Sequence, residues 1–165
     1  MKENKILNKE QIEDKIKRIS YEIYEENFDD KSIIICGIEK NGSIIAKRII
    51  KELKSICNIN IEFITIELDK QKPLNSIKTK SSKIKIKDKS IILIDDVSNT
   101  GKTLTYVIKE LIKFEPKKIN TAVLLNRDHT LFPIKINFIG LSLSTSIKSH
   151  IEVKLNDNHV GAYLT

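Results

Sequence analysis

A chain of 165 residues and 18.9 kDa with 40% hydrophobic residues has the length of one ordinary domain and enough apolar content for a core, which excludes wholesale disorder. Its net charge of +7 lies entirely in Lys70–Lys89, where eight lysines meet one acid, Asp88, while the other 21 basic and 21 acidic residues balance. Such a stretch attracts phosphate, on a small molecule or on RNA. No run approaches the roughly 18 apolar residues of a spanning helix, and the charged N-terminus has no signal-peptide core. Cys36 and Cys57 form neither a disulfide framework nor a metal spacing, so a reduced, cytoplasmic protein with both thiols as core filler is expected.

Taken in chain order, Asn8 with Gln11 three residues on has the form of a capping box, and Ile12, Ile16, Ile19 and Ile23 then trace one stripe of an amphipathic helix. The short β-branched run Ser32–Cys36 reads as a buried strand. Gly37 follows, and a helix is expected from Gly42, with Ile44, Ile45, Ile49 and Leu53 as its inner face. Alternation over Asn60–Leu68 predicts a strand. After the breaker Pro73, "KIKIK" at 83–87 reads as an edge strand with lysines outward, a pattern that discourages pairing with other chains. "SIILID" predicts a strand, "GKTLTYVIKELIKF" a helix, and "KINTAVLLN" and "INFIG" two further strands. "HIEVKL" and "HVGAYL" form a hairpin across Asn156-Asp157-Asn158. The order predicts one domain over 1–165, an α/β fold with a mostly parallel sheet, whose ligands sit beyond the carboxyl ends of the strands. Asp95, the Gly37–Gly42 segment and Asn126 all fall at such ends.

The stretch "IILIDDVSNTGKTL", Ile91–Leu104, concentrates the chemistry. The backbone N–H groups of Ser98–Thr103 at a helix start make an anion cradle, Thr100 and Thr103 add hydroxyls, and Gly101 permits close approach. Asp95 and Asp96 just upstream cannot bind the same anion, but they suit hydroxyl groups or Mg²⁺. Phosphate at one end and a diol at the other describe a ribose 5-phosphate. An ATPase-type phosphate loop would place Gly where Asp96 stands. A response-regulator receiver carries its paired acids near its start and needs more chain than the 69 residues after Asp96. A bare helix cap at Ser98 or Asn99 leaves the Asp pair unexplained. The three histidines are scattered and form no metal set.

The same stretch resembles the phosphoribosyl-pyrophosphate (PRPP) signature of type I phosphoribosyltransferases. "CGIEKNGSIIAKRI" is similar to that family's pyrophosphate loop. The segment from Leu124 to Leu155 resembles the branch of pyrimidine operon regulators that are also uracil phosphoribosyltransferases, through Arg127, His129, Pro133, Ile134, Gly140, Thr145 and Ser146. The resemblance implies a mostly parallel sheet flanked by helices, a small hood from the C-terminal segment, and a homodimer or larger assembly. It also implies Mg²⁺-dependent transfer of ribose 5-phosphate from PRPP to a nucleobase, uracil by preference.

By that resemblance Asp95 and Asp96 contact the ribose hydroxyls, directly or through Mg²⁺, and Ser98, Asn99, Thr100, Gly101, Lys102 and Thr103 hold the 5-phosphate. Glu39, Lys40, Asn41 and Gly42 cradle the pyrophosphate. Asn126, Phe138 and Ile139 face the base, and Lys70 and Lys72 belong to a loop closing over the site. Asn99 stands where purine-salvage members carry an acid and the regulator branch a Tyr, and Asn cannot take a proton from a purine. Asn41 replaces an Arg and Asn126 an Asp. The competing expectation is a nucleotide-sensing RNA-binding regulator of pyrimidine genes that uses the lysine-rich segment. Aromatics are only 5% and are not interleaved with those lysines, so no single-strand stacking module is in view.

Overall fold

The computed structural model describes residues 4–68, 78–79, 85–144, 149–156 and 160–164. Asn8 does cap the first helix, α1 (Lys9–Asn27). Its Oδ1 accepts from the Gln11 N–H at 2.8 Å, and Gln11 Oε1 accepts from the Asn8 N–H at 2.9 Å. The stripe Ile12, Ile16, Ile19 and Ile23 is fully buried. Each such side chain contributes about 1.5–3 kcal/mol by leaving water.

The main sheet has six strands in the order β4-β3-β2-β5-β6-β7. These are β2 (Ser32–Ile38), β3 (Asn60–Glu67), β4 (Lys78–Thr79), β5 (Ser90–Ser98), β6 (Lys118–Arg127) and β7 (Phe138–Leu143). All neighbouring pairs are parallel except β3 with β4. The continuous apolar runs of β2 and β5 follow from burial on both faces. Ile33, Ile35, Ile92 and Ile94 pack into one core with α1 and α2 (Glu39–Ile56). Ile34, Cys36, Ile91 and Leu93 pack into a second core with Leu104, Val107 and Leu111 of α3 (Lys102–Ile112). The architecture is the expected α/β fold, a mostly parallel sheet with helices on both faces.

A second, antiparallel sheet has the order β1-β9-β8, from β1 (Asn4–Leu7), β8 (Ile151–Lys154) and β9 (Gly161–Leu164). The expected C-terminal hairpin is present, with Ile151 opposite Leu164. The third strand comes from the other end of the chain: Leu7, opposite Ala162, is buried in the first core. Four residues before a helix cap carry too little periodicity to announce a strand.

Several elements differ from expectation, four of them near the site or the sheet edge. Helix α2 begins at Glu39 rather than Gly42, so the expected loop is the helix's first turn. Strand β5 runs past Asp95 to Ser98, because Val97 and Ser98 still pair with Leu125 and Asn126. The last parallel strand begins at Phe138, two residues later than Ile136. Residues 85–87 of "KIKIK" are not a strand: Lys85 and Lys87 are exposed, but Ile86 is drawn into the second core, and β4 forms the edge instead.

Candidate functional site

The carboxyl ends of β2, β5 and β6 lie side by side, because parallel pairing in register brings Gly37 opposite Ile94 and Ser98 opposite Asn126. Period-two alternation along β5 puts Asp96 on the face of Ile94, toward α2, and turns Asp95 the other way. The two side chains therefore leave opposite faces of the strand at its carboxyl end. Asp96 Oδ2 accepts from Asn41 Nδ2 at 2.7 Å, and its Oδ1 accepts from the Val97 N–H at 2.9 Å. Asp95 Oδ1 accepts from the Asp96 N–H at 2.9 Å. Burial, then the neighbouring Asp96 carboxylate, push Asp95 well above the usual carboxylate range despite the backbone hydrogen bond that opposes them; Glu39 adds to the push.

On one side lies a cleft of about 1150 Å³ along the first turn of α2, bordered by Glu39–Ser43, Asp95 and Asp96, with Lys47, Glu67 and Asn156 farther out. Gly42 fits because a Cβ there would lie 2.7 Å from the Ile94 carbonyl oxygen, so α2 comes against β5 nearly backbone to backbone. Glu39 holds φ = 50°, a left-handed conformation that costs a non-glycine residue energy and recurs where backbone is shaped for a ligand. The first-turn N–H groups of α2 have no intrahelical acceptors and carry the positive end of the helix dipole. Asn41 Nδ2 also donates to the Val153 carbonyl at 3.0 Å, which ties the small sheet to this turn.

On the other side Val97–Leu104 and Asp95 enclose a recess of about 50 Å³. Its helix, α3, starts from Gly101 at φ = 78° and has no side-chain cap, so neither Ser98 nor Asn99 caps it. The Lys102 N–H donates to Thr100 Oγ1 at 3.3 Å. The segment after β6 straps the turn from outside, with the Leu131 and Phe132 N–H groups both donating to the Thr100 carbonyl at 3.0 Å. Asp95 alone borders both the cleft and the recess.

The structure thus brings together Glu39, Lys40, Asn41, Gly42, Asp95, Asp96 and the whole Ser98–Thr103 turn. Asn126 stands next to Ser98 in the sheet, and among the described residues the buried Asn126 Oδ1 and Ser98 Oγ atoms have no hydrogen-bond partner. Phe138 and Ile139 do not join this group. They pair with Ala122 and Val123, several residues short of the strand end, where Ser142 lies opposite Asn126. Phe138 is core, and the Ile139 carbonyl accepts from Arg18 at 2.6 Å. Lys70, Lys72, Thr145 and Ser146 lie outside the described residues.

Arg127 belongs to the site and was not foreseen there. It is 6% exposed, and its Nη1 donates to Asn99 Oδ1 at 2.6 Å. An arginine closing the apolar run "AVLLN" was the available signal, since Arg is rarely buried unless paired. Asn156 is a second addition, carried to the cleft by the hood hairpin. Among the described residues no group of three or more His, Cys, Asp or Glu could enclose a metal ion. Two carboxylates on adjacent residues do fit a hard cation that takes most of its ligands from a bound diphosphate and water.

Residues 3–158 match the family model for the phosphoribosyl transferase domain. The bifunctional protein PyrR of Streptococcus agalactiae is 35% identical over 164 residues, spanning 96% of this chain and 93% of that protein. The bifunctional protein PyrR of Fusobacterium nucleatum is 34% identical over 160 residues, 92% of this chain and 90% of that protein. Among solved structures, the hypoxanthine phosphoribosyltransferase of Trypanosoma cruzi superposes with a TM-score of 0.79 at 12% identity, covering 98% of this chain and 95% of that one. A hypoxanthine-guanine phosphoribosyltransferase of Bacillus anthracis gives 0.75 at 16% identity, covering 90% and 86%. At those identities the likeness is one of fold.

Proposed function

The chain belongs to the phosphoribosyl transferase domain family, and on that premise we propose that it binds PRPP and a pyrimidine nucleotide as a sensor that regulates pyrimidine genes through RNA. The observation that carries this reading is the position of Asp95 between a roomy cleft with helix-turn N–H groups and a phosphate-sized recess. A ribose spanning Asp95 and Asp96 would send its 5-phosphate into the Ser98–Thr103 turn and its pyrophosphate to Glu39–Gly42. Relatives named as bifunctional PyrR proteins over nearly the full length favour the regulatory reading. So does Asn41, which offers an amide where a cation would serve a departing pyrophosphate better.

Transfer of ribose 5-phosphate to uracil is the reaction the same site can perform. Breaking the bond from C1 to pyrophosphate leaves an oxocarbenium-like centre, as in glycoside transfer. The protein's part is to hold the two phosphate ends apart, align the base nitrogen behind C1 and stabilise the leaving charge with N–H groups. Asp95 and Asp96 would hold Mg²⁺ together with the ligand's own oxygens, and the ion would neutralise diphosphate charge. Lys70 and Lys72 would approach the same phosphates from the segment that follows β3. The likeness to purine enzymes does not choose the base, since it extends to fold only. A homodimer or larger assembly is part of the proposal.

The test combines three measurements on the intact chain. UMP and PRPP–Mg²⁺ binding are measured by calorimetry. Nucleoside monophosphate formation is followed with uracil, hypoxanthine and guanine in parallel. Binding to a pyrimidine leader RNA is titrated with and without UMP at two salt concentrations. The expected result is UMP binding, UMP-dependent RNA affinity that falls steeply with salt, and any turnover confined to uracil and lowered at least tenfold in Asp96→Asn. Turnover on a purine alone would refute the pyrimidine assignment. RNA affinity indifferent to UMP would refute the sensor.

A further inference from the structure

Residue 99 lies in the phosphate turn and is exposed, yet its side chain is held by a group from the protein interior. Arg127 closes β6, is 6% exposed, and donates from Nη1 to Asn99 Oδ1 at 2.6 Å. A guanidinium has no acceptor, so the Asn99 atom facing it must be the oxygen, and the amide has only one orientation. The Nδ2 group with its two hydrogens is turned away from Arg127, and among the described residues it has no hydrogen-bond partner. The Arg127 backbone is fixed in turn by its pairing with Leu143 of β7. The donor therefore points from a rigid mount rather than from a free loop side chain.

We propose that Arg127 sets the polarity of position 99, so that Asn99 meets the bound nucleotide only as a hydrogen-bond donor and selects an oxygen acceptor there. The inference rests on the nucleotide-site reading and deepens it. The acceptor is an oxygen of the phosphate group or a carbonyl oxygen of the base, and both present lone pairs to an amide N–H. A ligand edge that offers a proton donor to residue 99 would leave two donors facing each other, and such edges are discriminated against. Asn99 is then a specificity-determining residue and Arg127 its positioning residue.

Two substitutions separate this role from a structural one. Asn99→Asp keeps an oxygen acceptor for Arg127 but replaces the outward donor by a carboxylate oxygen. Asn99→Ala removes both. UMP and ribose 5-phosphate are titrated calorimetrically against wild type and both variants, with melting temperature as the check on folding. The expected order of UMP affinity is wild type, then Asn99→Ala, then Asn99→Asp, the last at least tenfold below wild type while melting no lower. Equal weakening toward ribose 5-phosphate places the acceptor on the phosphate, and weakening toward UMP alone places it on the base; both support the donor role. Asn99→Asp that binds UMP as wild type does, or better than Asn99→Ala, overturns it.

Arg127→Gln can present its own carbonyl and let the Asn99 amide turn over, so UMP affinity should drop, and Arg127→Lys, a donor only, should restore most of it. Unchanged affinity in Arg127→Gln removes Arg127 from the argument. If burial makes that variant unfold, the comparison at position 99 still decides. Wild type that binds neither ligand refutes the nucleotide site itself, a different outcome from wild type that binds and Asn99→Asp that binds equally.

Discussion

Asp95 is the residue at which stability and function pull apart. Its folded-state pKa is raised above the ordinary 3.8 by burial and by Asp96, so between 3.8 and that higher value the folded protein keeps a proton that the unfolded chain releases. Stability therefore falls as pH rises through that window and stays lower above it. Asp95→Asn keeps the oxygen that accepts from the Asp96 N–H and removes the titration. The variant should melt higher than wild type at pH 7, with the difference vanishing near pH 3.5, while losing affinity for PRPP–Mg²⁺; thermal scans across that range check the sign. Asp30 provides the internal contrast. Burial raises its pKa, but hydrogen bonds from Lys117 Nζ at 2.6 Å and Ser90 Oγ at 2.7 Å prevail and leave it lowered. Its contribution is present above 3.8 and is lost as pH falls through the lower folded value, so Asp30 favours the folded state toward neutral pH where Asp95 opposes it.

At the scale of the element, the helix starts and the strand end decide the site. The sequence stretch Ile91–Leu104 was readable because an apolar run, two acids and a small polar turn each belong to a different environment and follow one another directly. Its pairing partners were not readable. β5 continues through Asp95 and Asp96 because β6 offers it Val123, Leu125 and Asn126, a fact of the sheet and not of the segment. Gly42 is the hinge of this arrangement: a methyl group at that position meets the Ile94 carbonyl oxygen at 2.7 Å and cannot be absorbed by a side-chain rotation. Gly42→Ala should cost about 1–3 kcal/mol as an overpacked contact. It should also weaken PRPP binding, because moving α2 away from β5 draws Asn41 off Asp96. Denaturant melts and PRPP–Mg²⁺ calorimetry read the two effects, and full affinity in a destabilised variant would show that the helix start does not position the cleft.

At the scale of the whole molecule, the first and last strands pair. β1 covers the edge of β9, Leu7 is 3% exposed in the core, and β8 reaches the cleft through the hydrogen bond from Asn41 to Val153. Removing residues 1–7 should cost at least the roughly 1.5–3 kcal/mol of burying one leucine. It should also raise amide exchange at Gly161–Leu164 more than in β2 or β5. Exchange confined to β1 itself, with β9 still protected, would show that the third strand is an ornament to the hairpin. The match to the family model over residues 3–158 leaves out the whole of β9, the central strand of that small sheet.

Everything carried by local order was legible in the amino-acid sequence. The capping box at Asn8 and Gln11, the isoleucine stripe of α1, the alternation of inward residues along buried strands and the small polar turn after Asp96 each depend on residues within a turn or two of one another. The fold class followed from the order of these elements, and the family from the resemblance carried by Ile91–Leu104, Cys36–Ile49 and Leu124–Leu155. The rest depends on residues far apart in the chain and came from the folded arrangement alone: Arg127 on Asn99, Asn41 shared between Asp96 and Val153, β1 against β9, and the placement of Phe138 and Ile139 in the body of the sheet. Side-chain periodicity says which face a residue takes, but only the register of neighbouring strands says how near the sheet's end it lies, and a register is a property of two segments together.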